Sequence, residues 1–299
     1  MLSADTAIKP RISVLIPVYR DWAGLDLCLA ALAAQTWPAD DFEVLVVSNE
    51  AEPPPPLSRP RVRLLHEPRG HSYAARNAGL AAARGEVLAF TDADCRPEPQ
   101  WLAKGWEALQ ADASASLAGG NIRVTAPQRN VATDYDQSFA FKQSETVPNG
   151  GSVTANLFVK RAVFDAIGPF NAALQSGGDF EFCKRAKQGG FKIVYAEQAV
   201  VQHPARDSLS ALFRKNRRVA GGFRRREFDL QGRRFGARLR FTLPMLKPPL
   251  RFWLRLLLGQ VRTDVLPAWR RPAVVLVKIC MHYHFAFSVL LPPPSKDQH

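Results

Sequence analysis

The chain has 299 residues, 46% hydrophobic and 22% charged, so it can bury a full core and is neither disordered nor fibrous. Its formal net charge of +13 is concentrated: between Pro204 and Pro272 stand 18 Lys/Arg against 4 Asp/Glu, which leaves the remainder close to neutral. Cys28, Cys95, Cys183 and Cys280 lie far apart with no C-x-x-C pair, which argues against a zinc site or a disulfide framework and for reduced thiols in the cytosol.

Residues 1–9 read as an N-terminal tail without the basic start and apolar stretch of a secretory signal. Residues 12–18, I-S-V-L-I-P-V, read as a buried strand leading into Tyr19-Arg20-Asp21 and a helix over about 23–35. A second apolar run, 42–47, ends in Ser48-Asn49-Glu50, the four prolines Pro53 to Pro56 make a stiff loop, and residues 62–66 form a short third strand. Strand-like runs that alternate with helical segments predict an α/β protein with a parallel sheet of the doubly wound kind. Ligands of such sheets sit at the carboxyl ends of the strands, so Pro17, Val18 and Tyr19, Asn49 and Glu50, and the later Asp92 and Asp94 are expected on one rim.

Residues 72–83, S-Y-A-A-R-N-A-G-L-A-A-A, form a small-residue helix; its approach, Arg69-Gly70-His71, and Arg76 within it bring cations and free N–H groups to the same rim. A helix start of this kind suits a pyrophosphate, although a solvated arginine is an equally ordinary reading. The stretch R-G-E-V-L-A-F-T-D-A-D-C-R-P then ends an apolar strand in Asp92 and Asp94. If strand geometry persists through Ala93, both carboxylates point to one side, where a divalent cation with oxygen ligands would relieve their repulsion. A helix over 98–111 carries Trp101 and Trp106 as core anchors, and Asn149-Gly150-Gly151-Ser152 is a turn before a strand over 153–159. A short helix, 162–167, stops at Gly168-Pro169; Asp179 opens the helix 179–188, where an N-cap is its plain role. Strands over 191–195 and 199–202 follow, the second ending at His203.

Beyond Pro204 the composition changes. Residues 241–258 are apolar but carry Lys247, Arg251 and Arg255 at four-residue spacing, one face of a cationic amphipathic helix suited to a membrane interface. Residues 273–291 are the longest apolar run. Lys278, His282 and His284 interrupt it; a central charge costs roughly 2.5–3.5 kcal/mol on insertion scales, which favours interfacial over spanning placement.

The order of P-V-Y (17–19), an acidic or amide strand end (48–50), A-R-N-A-G-L (75–80), the D-x-D stretch, G-G-D-F-E-F-C-K-R (177–185) and V-V-Q-H-P (200–204) resembles the family-2 glycosyltransferases of GT-A fold. The resemblance implies a Rossmann-like, mostly parallel central sheet flanked by helices over residues 10–206, with 207–299 as a basic, helical, membrane-associated region. It implies a nucleotide-diphospho-sugar donor, UDP first among the bases, bound near Pro17, Val18, Tyr19, Asn49, Glu50, Arg76, Asn77, Asp92 and Asp94. It further implies Mn²⁺ or Mg²⁺ on Asp92, Asp94 and His203, Asp179 as the general base of an inverting displacement, and Gly150 and Gly151 as the acceptor loop. Two positions depart from the family pattern: Gly178-Asp179 replaces its usual Glu-Asp, and Ser48-Asn49-Glu50 replaces its aspartates. The looser likeness of the basic region to bacterial members implies a lipid-linked or envelope glycan acceptor, an anionic membrane surface as partner, and a place at the cytoplasmic face of the membrane. A nucleotidyltransferase of similar fold is the alternative, weakened by the lack of a Gly-rich basic loop after the first strand. A nucleic-acid-binding protein is another, weakened by the apolar content of the basic region.

Overall fold

The computed structural model describes residues 9–233, 235–261 and 266–291. Its apolar runs become strand β1 (Ile12–Val18), β2 (Phe42–Ser48), β3 (Val62–His66) and β4 (Val87–Thr91), with helix α1 (Trp22–Ala33) after β1 and helix α2 (Ser72–Ala82) between β3 and β4. Next come the two-residue strand β5 (Arg96–Pro97), helix α3 (Trp101–Ala111), strand β6 (Ala115–Thr125), helices α4 (Val131–Phe139) and α5 (Gln143–Thr146), and strand β7 (Asn156–Lys160). Helices α6 (Arg161–Ile167) and α7 (Gly178–Gln188) lead to the long strand β8 (Lys192–Pro204). Four helices complete the described chain: α8 (Leu209–Arg224), α9 (Phe235–Met245), α10 (Leu250–Leu257) and α11 (Arg271–Leu290).

Every residue of β2 and β4 is buried, as a strand covered on both faces requires. Helix α1 turns Leu25, Cys28, Leu29 and Leu32 inward at helical spacing. The eight strands form one mixed sheet in the order β3-β2-β1-β4-β7-β6-β8-β5. The β3-β2-β1-β4 half is parallel; β7 runs antiparallel to both β4 and β6, so β6 again points the same way as β4, and β5 runs antiparallel to β8. The alternation of strands and helices reads out both the α/β layering and the mostly parallel sheet; β7 and the two-residue β5 are the strands that run against their neighbours.

Three further features differ from the sequence reading. The expected strands 191–195 and 199–202 are one strand, β8, whose exposed Glu197 and Gln198 lie within it rather than between two strands. Strand β6 and helix α4 were not anticipated, because two glycines interrupt the apolar pattern of β6 and the apolar stripe of α4, Val131, Tyr135 and Phe139, lies among polar residues in a nine-residue helix. The single helix over 241–258 is two helices, α9 and α10, separated at Pro248-Pro249, so Lys247 lies outside any helix and does not share a helical face with Arg251 and Arg255.

The residues form two compact units. The first runs to Arg123 and adds Phe141–Ala173 and Gly178–His203; it holds the sheet. The second joins Val124–Ala140, Leu174–Gly177 and the chain from Pro204 onward. Within this second unit α4 is the hub. Asn130 caps it through the Ala132 and Thr133 N–H groups, and the fully buried Asp134 pairs with Arg129 and Arg270 at 2.9 and 2.7 Å. Asp136, equally buried, pairs with Arg206 at 3.0 Å and with Lys215 at 3.5 Å. Helix α11 packs Val274, Val275, Val277 and Met281 against this unit, and Lys278 places its Nζ 4.2 Å from the centre of the Phe139 ring, a cation–π contact that houses the charge interrupting the apolar run.

Removing one member of a buried ion pair leaves uncompensated charge behind. Asp136→Ala is expected to lower the unfolding free energy by about 3 kcal/mol, against a near-zero effect of Asp207→Ala at an exposed position. Urea titration of the two variants checks this.

Candidate active site

Strand β4 stops at Thr91, and the Cys95 N–H bonds the Asp92 carbonyl at 3.1 Å, closing a turn over residues 92–95. Strand geometry therefore does not persist through Ala93, and Asp92 and Asp94 take different partners. Asp92 Oδ1 accepts a hydrogen bond from Arg76 Nη2 at 2.6 Å. Asp94 Oδ2 lies 3.5 Å from His203 Nε2.

The His203 contact follows from sheet register. Strand β5 pairs with β8 as Arg96↔Gln202 and Pro97↔Val201, and the same register one step on sets Cys95 opposite His203. The imidazole is 4% exposed, with the Phe141 ring centroid 4.5 Å from its own. Asp94, Cys95 and His203 each bring a ligand atom within 4.8 Å of the others, a grouping able to hold a metal ion. Burial, reinforced by the Asp92 and Asp94 charges, pushes the Cys95 thiol well above its usual range. The carboxylate and the imidazole are oxygen and nitrogen donors, compatible with a hard or borderline divalent ion.

On the other side of Asp92, the Arg76 side chain is 4% exposed. One turn earlier on α2, Tyr73 places its ring 5.4 Å below the Arg76 guanidinium and its hydroxyl 3.2 Å from the Asp179 backbone N–H. Asp179 lies one residue inside α7 rather than ahead of it as an N-cap, and is 8% exposed. Its Oδ1 accepts the Phe180 N–H at 2.9 Å, and the carboxylate also accepts from the Tyr73 hydroxyl and the Thr154 N–H. Burial raises the Asp179 carboxyl above the ordinary carboxylate range, against the opposing pull of these hydrogen bonds and the Arg76 charge. Arg76 thus links Asp92 electrostatically to Asp179.

The other expected residues are distributed as follows. Tyr19 is 45% exposed, with the Arg20 guanidinium 5.0 Å from its ring centroid. Pro17 and Val18 end β1, and the Asn49 N–H bonds the Val18 carbonyl at 3.1 Å. Glu50 Oε1 accepts from the Arg20 N–H and from Trp22 Nε1 at 3.1 and 3.0 Å, so the ends of β1 and β2 are tied together. Asn77 engages both ends of its amide with the Phe170 backbone, at 2.8 and 3.0 Å, which fastens α2 to the segment before α7. Gly150 has φ of 88°, and at Gly151 a Cβ would stand 2.8 Å from the Phe180 ring, so the glycine turn packs against the neighbour of Asp179.

Sequence reasoning did not single out Tyr73, Phe141 or Phe180, and counted Cys95 only as a thiol. Tyr73 was accessible, since i,i+3 spacing on α2 sets it on the face of Arg76. Phe141 and Phe180 were not, because no periodicity ties them to His203 or to the glycine turn.

Residues 13–175 match the family model described as Glycosyl transferase family 2. Asp179 and His203 lie beyond that span. The glycosyltransferase AglE of Haloferax volcanii is 35% identical over 227 residues, covering 73% of this chain and 74% of AglE. The pre-mycofactocin glycosyltransferase of Mycobacterium tuberculosis is 24% identical over 66% of this chain and 43% of its own length. The validoxylamine A glucosyltransferase of Streptomyces hygroscopicus subsp. jinggangensis is 34% identical over 38% of this chain and 29% of its own length.

A carboxyl raised by folding stabilises the protein most below its unfolded value, and that contribution is lost as pH rises through the folded value. Asp179→Asn, which stays neutral, is therefore expected to be more stable than wild type at pH 7.5 and to lose that advantage at pH 4. Urea midpoints at the two pH values check it.

Proposed function

The chain belongs to the family-2 glycosyltransferases, enzymes that transfer a sugar from a sugar donor, and from that premise we propose that it is a metal-dependent, inverting enzyme working at a membrane surface. The observation that carries this reading is the arrangement on one rim of the sheet: His203 with Asp94 on one side of the 92–95 turn, and Arg76 between Asp92 and Asp179 on the other.

The donor is a nucleotide-diphospho-sugar, with UDP the first base to test. Its nucleoside meets the ends of β1 and β2 at Pro17, Val18, Tyr19, Asn49 and Glu50, and Asn77 supports that rim by fastening α2. Asp94 and His203, with Asp92 beside them, would hold Mn²⁺ or Mg²⁺, which neutralises charge developing on the departing diphosphate. Arg76 adds a fixed positive charge at the same end. Asp179 takes the proton of the acceptor hydroxyl as it attacks; its raised affinity for a proton, caused first by burial, suits a base working near neutral pH. Because attack and departure occur in one displacement, the anomeric configuration inverts and no covalent enzyme intermediate is needed. Gly150 and Gly151, beside Phe180, border the acceptor.

Membrane attachment is supported by the second unit. Leu243, Leu246, Leu250, Leu254 and Leu258 are exposed, and Arg240, Lys247, Arg251 and Arg255 are exposed among them. No acidic residue occurs between Asp229 and Asp264. Exposed apolar surface interleaved with cations fits an interface with anionic lipid, each nearby cation contributing about 1 kcal/mol. Residues 268–290 are long and apolar enough to cross a bilayer, yet a third of that window is buried within the protein, which favours interfacial placement. The acceptor follows as a lipid-linked or envelope glycan reached from the cytoplasmic face.

Two measurements test the proposal. In a thermal-shift screen of UDP-, GDP- and dTDP-sugars with and without Mn²⁺, one donor should stabilise the protein only when metal is present, by about 2.7 kcal/mol at a hundredfold excess over Kd. Asp94→Ala and His203→Ala should abolish that dependence, and an unchanged shift in both would overturn the metal site; Asp179→Asn should keep the shift and lose transfer. Binding to phosphatidylglycerol vesicles should survive 0.5 M salt at about half or more of its low-salt level, with the apolar term of lipid binding less screened than phosphate pairing. Leu250→Ser/Leu254→Ser should abolish it.

A further inference from the structure

Asp179 owes its setting to a residue outside its own helix. Tyr73 is 4% exposed and reaches from α2 to Asp179, where its hydroxyl oxygen accepts the backbone N–H at 3.2 Å and its proton is left to face the neighbouring carboxylate. The Tyr73 ring lies directly on Gly178: a Cβ built there would stand 2.8, 2.9 and 3.0 Å from three ring carbons. The ring is also held from the side, with the Phe170 centroid 5.8 Å away and the Arg76 guanidinium 5.4 Å from its own centroid. Position 178 therefore lacks a side chain where a buried phenol occupies the adjoining space, and that phenol supplies a polar partner to the carboxylate.

We propose that Tyr73 is the positioning residue for Asp179: its hydroxyl holds the Asp179 backbone at the start of α7 and offers its proton to the carboxylate, and Gly178 is the residue that admits its ring. The functional half of this inference rests on Asp179 being the general base; the contact itself does not.

The physical argument is one of competing forces on a single buried carboxyl. Desolvation disfavours its charge. Opposing that are the N–H groups of Phe180 and Thr154, the Tyr73 hydroxyl, and the Arg76 charge from the same face of α2. From within α7 the Cys183 thiol also lies near Asp179 and is itself pushed up to about 12, first by burial and then by the Asp179 charge, so it remains neutral and adds no like charge. Tyr73, raised far above the ordinary phenol range by burial and by Asp179, keeps its proton and so can offer it to the carboxylate while its oxygen accepts the Asp179 N–H. Of the neutral donors, only Tyr73 comes from a side chain, and so only it can be removed without altering the backbone.

A double-mutant cycle of Tyr73→Phe and Asp179→Asn in the full chain, read by urea unfolding, tests the contact without any substrate. Phe keeps the ring that covers Gly178 and removes only the hydroxyl. At pH 7.5 Tyr73→Phe should lower the folding constant about tenfold more in the wild-type background than in Asp179→Asn, the size of a hydrogen bond to a charged group. At pH 4, closer to the neutral form that burial favours, the difference should shrink. Equal losses in both backgrounds at both pH values would reduce Tyr73 to core packing and overturn the proposal. Gly178→Ala gives a second reading, since it should cost stability in wild type and less in Tyr73→Ala. With the donor identified by thermal shift, Tyr73→Phe should leave donor KM unchanged, lower kcat about tenfold, and move the acid limb of the kcat profile to higher pH as its carboxyl loses a stabilising donor. Coupling in the unfolding cycle with an unmoved acid limb would overturn the functional half alone, and with it the assignment of Asp179 as base.

Discussion

The buried guanidinium of Arg76 makes it possible to bring two carboxylates, the half-buried Asp92 and the buried Asp179, to one rim of a sheet. Desolvation drives Asp179 toward its neutral form, and the two acids would repel. Arg76 bonds one directly and lowers the proton affinity of the other through space. Its position is set by α2, whose small residues let the helix lie close to β1 and β2; at Gly79 a Cβ would already stand 3.0 Å from Leu15. The charge balance of the site and the packing of α2 on the sheet are therefore one constraint.

The second half of the site depends on a change of strand direction. A wholly parallel sheet would gather strand ends but would give His203 no route to Asp94. The short antiparallel pairing of β5 with β8 brings the late histidine back beside the 92–95 turn. At the opposite, amino ends of the same strands, Glu43 accepts hydrogen bonds from Ser13 Oγ at 2.8 Å and from the Arg84 N–H at 2.7 Å, a saturated cluster that ties strands together. Charged residues at the two ends of one sheet thus serve different ends, and the distinction lies in whether every polar group is already satisfied from within the same local cluster.

In the second unit the physics is different again. Its core is thin, and α4 compensates by burying two aspartates that bind four cations drawn from separate stretches of sequence. That network gathers part of the positive charge inward, while the cations of α9 and α10 remain at the surface among exposed leucines. The basic composition therefore divides into a structural share and a surface share, and only the latter bears on what the protein meets.

The linear sequence determined the layering of the fold, because continuous apolar runs can be satisfied only between helices. It also determined the candidate residues Asp92, Asp94, Asp179 and His203, because strand ends and helix starts are local and chemically marked. The proline break at 248–249 was legible too, but the four-residue spacing of cations across it drew attention away from it. The reversal of β7 and β5, the turn that separates Asp92 from Asp94, the continuity of β8 and the hub role of α4 were decided only by tertiary structure. Each depends on groups distant in sequence: backbone N–H and carbonyl pairs between β5 and β8, and arginines from three segments closing on α4. Tyr73 stands between the two cases. Its spacing from Arg76 was written in the chain, but its partner Asp179 lies 106 residues away, and only packing of α2 against the start of α7 brings the phenol to the carboxylate.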